Sequence, residues 1–405
     1  MLLRDAYRNS VFTHIVGVAA TLFTFTVNGS SLFEYELSGK LSAEYRYFLS
    51  EGDQGQKQSQ PSILAQPEMY WTLSDEEGDA SFTFVPFYRY DNLDSERTHA
   101  DIREMLYLNA WSDYEFRFGI GKVFWGVTES THLVDVINQT DLIESVDGED
   151  KLGQPMWTFS MFKDWGTTEV YYLPYFRERT FPGKDGRLRT GYVVNTDKPR
   201  FESSDKEKHA DFALRYSQMF GDWDIGVSYL QGTDREPTLL VEGTDLIPYY
   251  AQMKHTGLDV QGVVGDWLWK LEAIYKDSYE NYTASVAGFE YTWVGAFGRV
   301  WDLGIISEYL YDSREADSNA IGQNDIFGGL RLAFNDEDSS EILIGMTQDI
   351  DESDIRIYRI EASTRLSNQF SLRMEAWGMT NDIATDPLYS LRKDDFVEMA
   401  VDFYF

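Results

Sequence analysis

Asp395-Phe396-Val397-Glu398-Met399-Ala400-Val401-Asp402-Phe403-Tyr404-Phe405 closes the chain. In an extended strand Val397, Met399, Val401, Phe403 and Phe405 share one face, and Glu398, Ala400, Asp402 and Tyr404 share the other. A soluble domain rarely leaves such an aromatic edge strand at a terminus, because the unpaired edge invites association. A closed barrel can, since its last strand pairs with its first and no edge remains. The stretch is thus either the last strand of a soluble sandwich or the closing strand of a barrel, and the rest of the chain decides.

The same period governs the other end. Phe33, Tyr35, Leu37, Gly39, Leu41, Ala43, Tyr45 and Tyr47 fall on one face, with Glu34, Glu36, Ser38, Lys40, Ser42, Glu44 and Arg46 on the other. No 3.6-residue period competes with it. Further strands are expected near 63–73, 80–91, 102–112, 114–125, 155–163, 168–176, 209–219, 223–232, 253–264, 267–277, 282–293, 301–312, 325–335, 341–349, 355–366, 370–379 and 395–405. Each is near the roughly ten residues that a tilted membrane strand needs. Short turns, such as Ser112-Asp113, Gly221-Asp222 and Gly265-Asp266, alternate with longer connections at 126–154, 177–208, 233–252, 313–324 and 380–394. Strict short/long alternation marks an up-and-down barrel and is foreign to Greek-key sandwiches. The expected fold is all-β: a transmembrane, up-and-down, antiparallel β-barrel over residues 32–405, with about 18 strands, or about 16 if two faint segments merge.

Composition agrees. Aromatic residues make up 16% of 405 residues, enough for two interfacial girdles and a lipid-facing band. Cysteine is absent, which removes thiolate metal sites and a Cys nucleophile and suits passage through an oxidising compartment. Mean hydropathy is −0.40, too low for a bundle of membrane helices. The net charge of −33 argues against nucleic acid as a partner. It fits either a cation-preferring lumen or acidic outer loops that keep the chain soluble in transit.

Residues 1–31 read as an export signal: Arg4 and Arg8, an apolar run from Val11 to Val27, then Gly29, Ser30 and Ser31. The apolar run is short for a membrane anchor and carries several Thr and His14.

The polar faces of the strands carry Glu115, Arg117, Lys270, Glu272, Glu290, Asp302, Glu308, Arg331, Arg359, Glu361, Arg365, Arg373 and Glu375. Turning a midplane Lys or Arg to lipid costs about 2–4 kcal/mol, so this set lines the lumen. The lining either guides a solute or simply braces a wet interior.

After the fifth strand comes Phe118-Gly119-Ile120-Gly121-Lys122-Val123-Phe124-Trp125-Gly126, then Glu129-Ser130-Thr131-His132-Leu133-Val134-Asp135-Val136-Ile137-Asn138-Gln139-Thr140-Asp141. Gly119 and Gly121 on the inward face leave room against the wall. Leu133, Val134, Val136 and Ile137 make the segment too apolar to hang in water. It is expected to fold into the lumen and constrict it, with Trp125, Gly126, Glu129, Ser130, His132, Asp135, Asn138 and Asp141 at the constriction. The alternative is that it only seals the wall. A Gly-rich strand leading into Trp125-Gly126-x-x-Glu129-Ser130 and then Ile137-Asn138-x-x-Asp141 resembles a stretch found in porin-like and export-type outer-membrane barrels of Gram-negative bacteria. The ending on Phe405 resembles the C-terminal signature of such barrels. The resemblance implies an outer-membrane location among lipid and lipopolysaccharide, assembly by machinery that reads Phe405, and a lumen constricted by an inward loop. It does not imply an oligomeric state.

Glu144, Asp147, Glu149 and Asp150 crowd around Gly148. Asp147, Glu149 and Asp150 are candidate Ca²⁺ ligands, but the spacing is not that of a helix-loop-helix calcium loop, and a solvated acidic loop is the alternative. No other cofactor is expected. The next long connection is basic, with Arg177, Arg179, Lys184, Arg187, Arg189, Lys198, Arg200, Lys206 and Lys208. The two loops either set a transverse field across the pore or dock on each other. A hydrolase would centre on His132, beside Glu129 and Ser130, yet no nucleophile elbow, P-loop or zinc motif accompanies it. The function expected is a porin-like channel for small polar solutes. A loop-plugged binding barrel, an adhesin or a conduit for a periplasmic partner, is the alternative.

Overall fold

The computed structural model describes residues 34–73, 79–315 and 322–405. The expected export signal, and the turn expected at 75–79 except for Asp79, lie outside the described residues. Among the described residues twenty-two strands form. The first seven are β1 (Glu34–Phe48), β2 (Ser59–Thr72), β3 (Asp79–Asp91), β4 (His99–Trp111), β5 (Tyr114–Gly121), β6 (Gln154–Lys163) and β7 (Gly166–Leu173). Then follow β8 (Val193–Val194), β9 (Arg200–Phe201), β10 (Asp211–Phe220), β11 (Trp223–Thr233), β12 (Thr238–Glu242), β13 (Asp245–Tyr250), β14 (Gln252–Val264) and β15 (Trp267–Asp277). The last are β16 (Tyr282–Trp293), β17 (Asp302–Asp312), β18 (Asn324–Ala333), β19 (Glu341–Asp349), β20 (Arg356–Arg365), β21 (Phe370–Thr380) and β22 (Phe396–Tyr404).

Eighteen of these form one closed antiparallel barrel, each pairing with its neighbours along the chain. The closing strand is the one quoted at the outset: β22 runs against β1 from Lys40↔Tyr404 to Phe48↔Phe396. The count is therefore eighteen, with no merging of strands. Alternation dictates which face is which. On β22 Val397, Met399 and Val401 stay exposed on the outer surface, while Glu398, Ala400 and Asp402 are buried inside. On β1 Leu41, Tyr45 and Tyr47 point out and Ser42, Glu44 and Arg46 point in. Aromatic residues collar the rim that holds the chain's end: Trp165 stacks on Tyr216, and Trp267 contacts Trp269, Phe289 and Tyr291. Such girdles suit the membrane interface, where one side of a ring meets apolar chains and the other meets water.

Strict alternation of short and long connections does not hold. The connection at 278–281 on the far rim has four residues, whereas the one at 294–301 on the near rim has eight. The latter is widened by a 3₁₀ turn, Ala296–Gly298, with positive φ at Gly295, Phe297 and Gly298. The far rim also carries a small sheet absent from the sequence expectation. There β12 pairs antiparallel with β13, and β13 takes β8 and β9 in parallel.

Two irregularities shape the wall. The β2–β3 ladder passes from Ala65↔Tyr88 to Met69↔Phe84, skipping Pro67 and Pro86, which have no N–H to donate. On β4 the register slips: Val85 faces Glu104 while Pro86 faces Ile102. The extra residue is Arg103, which the bulge turns into the lumen and buries.

Candidate functional site

The segment 122–153 leaves the wall where β5 stops and enters the barrel. The strand stops at Gly121, short of the expected 125. Gly119 has φ +134°, and a Cβ there would meet the Met105 carbonyl oxygen at 2.0 Å. The glycine thus answers the neighbouring wall strand and not, as expected, a body lying against it. Asn138 then ties the loop's two ends together. Its Nδ2 donates to the carbonyls of Gly121 and Leu152, at 2.9 and 2.8 Å, and its Oδ1 accepts from the Val123 N–H at 2.9 Å.

Two wall carboxylates hold the middle of the loop. Glu272 on β15 accepts from the backbone N–H groups of Val127, Thr128 and Val134, at 2.7, 3.1 and 3.1 Å, and from the Thr128 hydroxyl at 2.9 Å. Glu308 on β17 accepts from the N–H groups of Glu129 and Ser130, both at 2.8 Å, and from the Ser130 hydroxyl at 2.6 Å. Charge-assisted bonds of this kind are about twice as strong as neutral ones. The apolar side of the loop is fully buried at Val134 and Ile137. With Trp125 they pack on Met156, Tyr171, Leu230, Met253 and Ile274 of the inner wall. Leu133 reaches a second cluster of Val286, Ile306, Leu310 and Phe327.

The remaining expected residues fall as follows. Glu129 pairs with Arg331 at 2.7 Å and lies 3.7 Å from Lys270. Glu290 is 3.8 Å from both Lys270 and Arg331, so these four form one cluster. Gly126 passes so close to His132 that a Cβ would meet its Nδ1 at 2.3 Å. Asp135 is buried, with Lys151 at 3.4 Å. Glu115 and Arg117 pair with each other at 2.7 Å. Arg373 binds Asp402 at 2.6 Å. In register, Glu375 lies between Glu361 and Glu398. Arg365 is exposed.

The calcium candidates do not converge. Asp147 pairs with Arg359, which also binds Glu361, and Glu149 goes to His132. The acidic and basic loops dock on each other: the Thr180 hydroxyl donates to Asp141 at 2.6 Å, and Gln139 meets both Arg177 and Arg179. Several of the basic residues are taken, Arg177 by Asp101, Arg187 by Asp394 and Arg200 by Glu242. Ser130 and His132 are not joined as a hydrolytic pair, since the serine hydroxyl is committed to Glu308.

Sequence reasoning overlooked a dense cluster at the loop's root. Arg89 binds both Glu44 and Glu144, Arg97 binds Asp91 at 2.8 Å, and Arg103 reaches Asp141 at 2.7 Å. The inward parity of Glu44 and Arg89 was visible; the loop position of Arg97 and the bulge at Arg103 were not.

His132 lies 3.1 Å from Glu149 and 3.7 Å from Glu272. Burial opposes its charged form, but hydrogen bonding and attraction from the two carboxylates outweigh burial and raise its pKa to about 10. A raised pKa contributes stability that is complete below the ordinary imidazole value, near 6.5, and lost as pH rises through about 10. The melting-temperature gap between the wild type and His132→Gln should therefore be widest near pH ~6 and close by pH ~10. A gap independent of pH over that range would refute the pairing.

Two cavities flank the loop. The one toward the far rim, about 920 Å³, is lined by residues such as Glu129, His132, Asp135, Arg179, Arg359 and Lys276. The one toward the near rim, about 690 Å³, is lined by Arg117, Lys122, Trp125, Arg215 and Asp259 among others. No residue lines both, and the chain crosses from one to the other between Val127 and Thr128.

A closed eighteen-stranded wall, apolar outside and charged inside, with an inward loop, defines a membrane barrel of the outer-membrane porin fold. No family model and no curated protein matches this chain. Solved structures do. OpdQ of Pseudomonas aeruginosa shares 8% identity at a TM-score of 0.53, covering 92% of this chain and 98% of that one. A BenF-like porin of Pseudomonas fluorescens Pf-5 shares 7% at 0.53, with the same coverage. OccD3 (OpdP) of Pseudomonas aeruginosa shares 9% at 0.51, covering 94% of this chain and 92% of that one. At such identities the likeness is one of fold.

Proposed function

We propose that this chain is an outer-membrane channel that passes small polar solutes by diffusion, with loop 122–153 as its constriction. The observation that carries the reading is the loop's position, latched by Glu272 and Glu308 between two cavities lined by charged residues. A structural or binding barrel would need no cavity on either side of it.

A weak cation preference goes with this reading. The far-rim cavity is lined by nine carboxylates against seven Lys and Arg, while the near-rim one has four of each. Most of the chain's −33 charge therefore lies away from the two cavities. The reversal potential under a tenfold salt gradient should be of cation sign and well short of the ~59 mV ideal for a monovalent cation.

One observation favours a plugged state as the second reading: no residue is shared by the two cavities, and the loop's apolar side is fully buried. Planar-bilayer recording on the purified barrel separates the two. Steady open-channel current supports diffusion; silence in the wild type, with no solute uptake into liposomes, sinks it in favour of a plug.

A further inference from the structure

Where the lumen loop meets the wall, three side chains bring ligand atoms within 4.8 Å of one another: His99, at the start of β4, and Asp141 and Glu144 of the loop. His99 Nδ1 lies 3.0 Å from the Arg97 carbonyl. A carbonyl only accepts, so Nδ1 carries the proton, and in the neutral ring Nε2 presents a lone pair. That lone pair faces Glu144 Oε1 at 3.7 Å and Asp141 Oδ2 at 3.9 Å. Both distances exceed hydrogen-bond reach. Nε2 is shielded from solvent and makes no hydrogen bond, while Asp141 is fully buried with its Oδ2 ion-paired to Arg103 at 2.7 Å. A lone pair directed at two carboxylates is repulsive unless something positive lies between them.

We propose that His99, Asp141 and Glu144 bind one divalent transition-metal ion of zinc-like preference, which clips the lumen loop to the wall. Ligands about 2.0–2.2 Å from a zinc ion and spread around it stand roughly 3.3–3.8 Å apart. The 3.7 and 3.9 Å from Nε2 lie at the upper edge of that range, and the three atoms, within 4.8 Å of one another, would draw in slightly around an ion. The surroundings also suit a metal site, in which the second ring nitrogen of a ligating histidine bonds a carbonyl and ligating carboxylates are themselves held. Here Thr180 donates to Asp141 Oδ1 at 2.6 Å, Arg103 stands 2.7 Å from Oδ2, and Arg89 grips Glu144. The guanidinium groups do not by themselves balance the acids. Glu44, Asp91, Asp101, Asp141, Glu144 and Asp402 share Arg89, Arg97, Arg103, Arg177 and Arg373, with Lys122 acting on Asp101 and Lys40 on Asp402 as further cations. One imidazole with two carboxylates selects a zinc-like ion over Ca²⁺, which takes six to eight oxygens. The site is independent of what passes through the barrel.

The test uses the full chain, purified in detergent, stripped with a chelator and titrated with Zn²⁺ by calorimetry. One ion should bind per chain and raise the melting temperature. Co²⁺ in place of Zn²⁺ should give visible ligand-field bands of the ion held by imidazole and carboxylate, a readout that needs no variant. His99→Gln should weaken Zn²⁺ binding at least about tenfold and abolish the thermal shift. His209→Gln, which changes a histidine paired with Asp211 elsewhere, should leave both unchanged. If the wild type binds no Zn²⁺ and shows no Co²⁺ band, a proton fills the gap and the proposal fails. It also fails if His99→Gln binds as the wild type does.

Discussion

Changing Glu272 and Glu308 together to alanine should raise single-channel conductance by roughly twofold or more and make the current noisy, because the constriction loop loses its hold on the wall. Five backbone N–H groups and two hydroxyls of the loop donate to these two carboxylates. Hydrogen bonds to charged acceptors contribute about 1.5–3 kcal/mol each, and the bereft N–H groups would have to find water. Burial of Val134 and Ile137 opposes release, so the loop should fluctuate rather than leave. Glu308→Gln, which keeps the shape and removes the charge, should lie between the wild type and the double variant. Planar-bilayer recording reads all three. Unchanged conductance in the double variant would mean that apolar packing alone holds the loop and that the carboxylates are not its latch.

Arg89→Met should be the most destabilising single change at the loop's root. Arg89 is buried and holds two buried carboxylates, Glu44 from β1 and Glu144 from the loop, while also donating to Ser62 at 2.9 Å. Removing one partner of a buried pair costs about 3–5 kcal/mol, because uncompensated charge stays behind. The midpoint of urea unfolding in detergent, followed by tryptophan fluorescence, should fall accordingly. Arg89→Met with Glu144→Gln should recover part of the loss, since residues in one network are not additive. A loss below about 1 kcal/mol in the single variant would show that water reaches this cluster.

Much of the wall was legible beforehand. Each of the eighteen barrel strands matches an expected segment, because a strand with lipid on one side and water on the other must alternate residue by residue. Leu133, Val134 and Ile137 marked the inward loop for the same hydrophobic reason. The short strands β8, β9, β12 and β13 were not legible. Two have two residues each, and their pairing is settled by loops meeting at the far rim.

Arg103 shows the limit most clearly. Counting in twos from Met105, whose side chain is exposed outside, places Arg103 toward lipid. One bulge opposite Val85 and Pro86 reverses it, and Arg103 becomes the buried partner of Asp141. The latch is likewise a matter of distance along the chain: Glu272 and Glu308 meet backbone groups more than 130 residues away. The order of residues determined by itself the barrel, its faces and the apolar loop, since each follows from periodicity within a dozen positions. Which carboxylate holds the loop, and which histidine faces which acids, only the closed tertiary structure decided. Contacts across the lumen depend on register and on a bulge, and neither leaves a periodic trace.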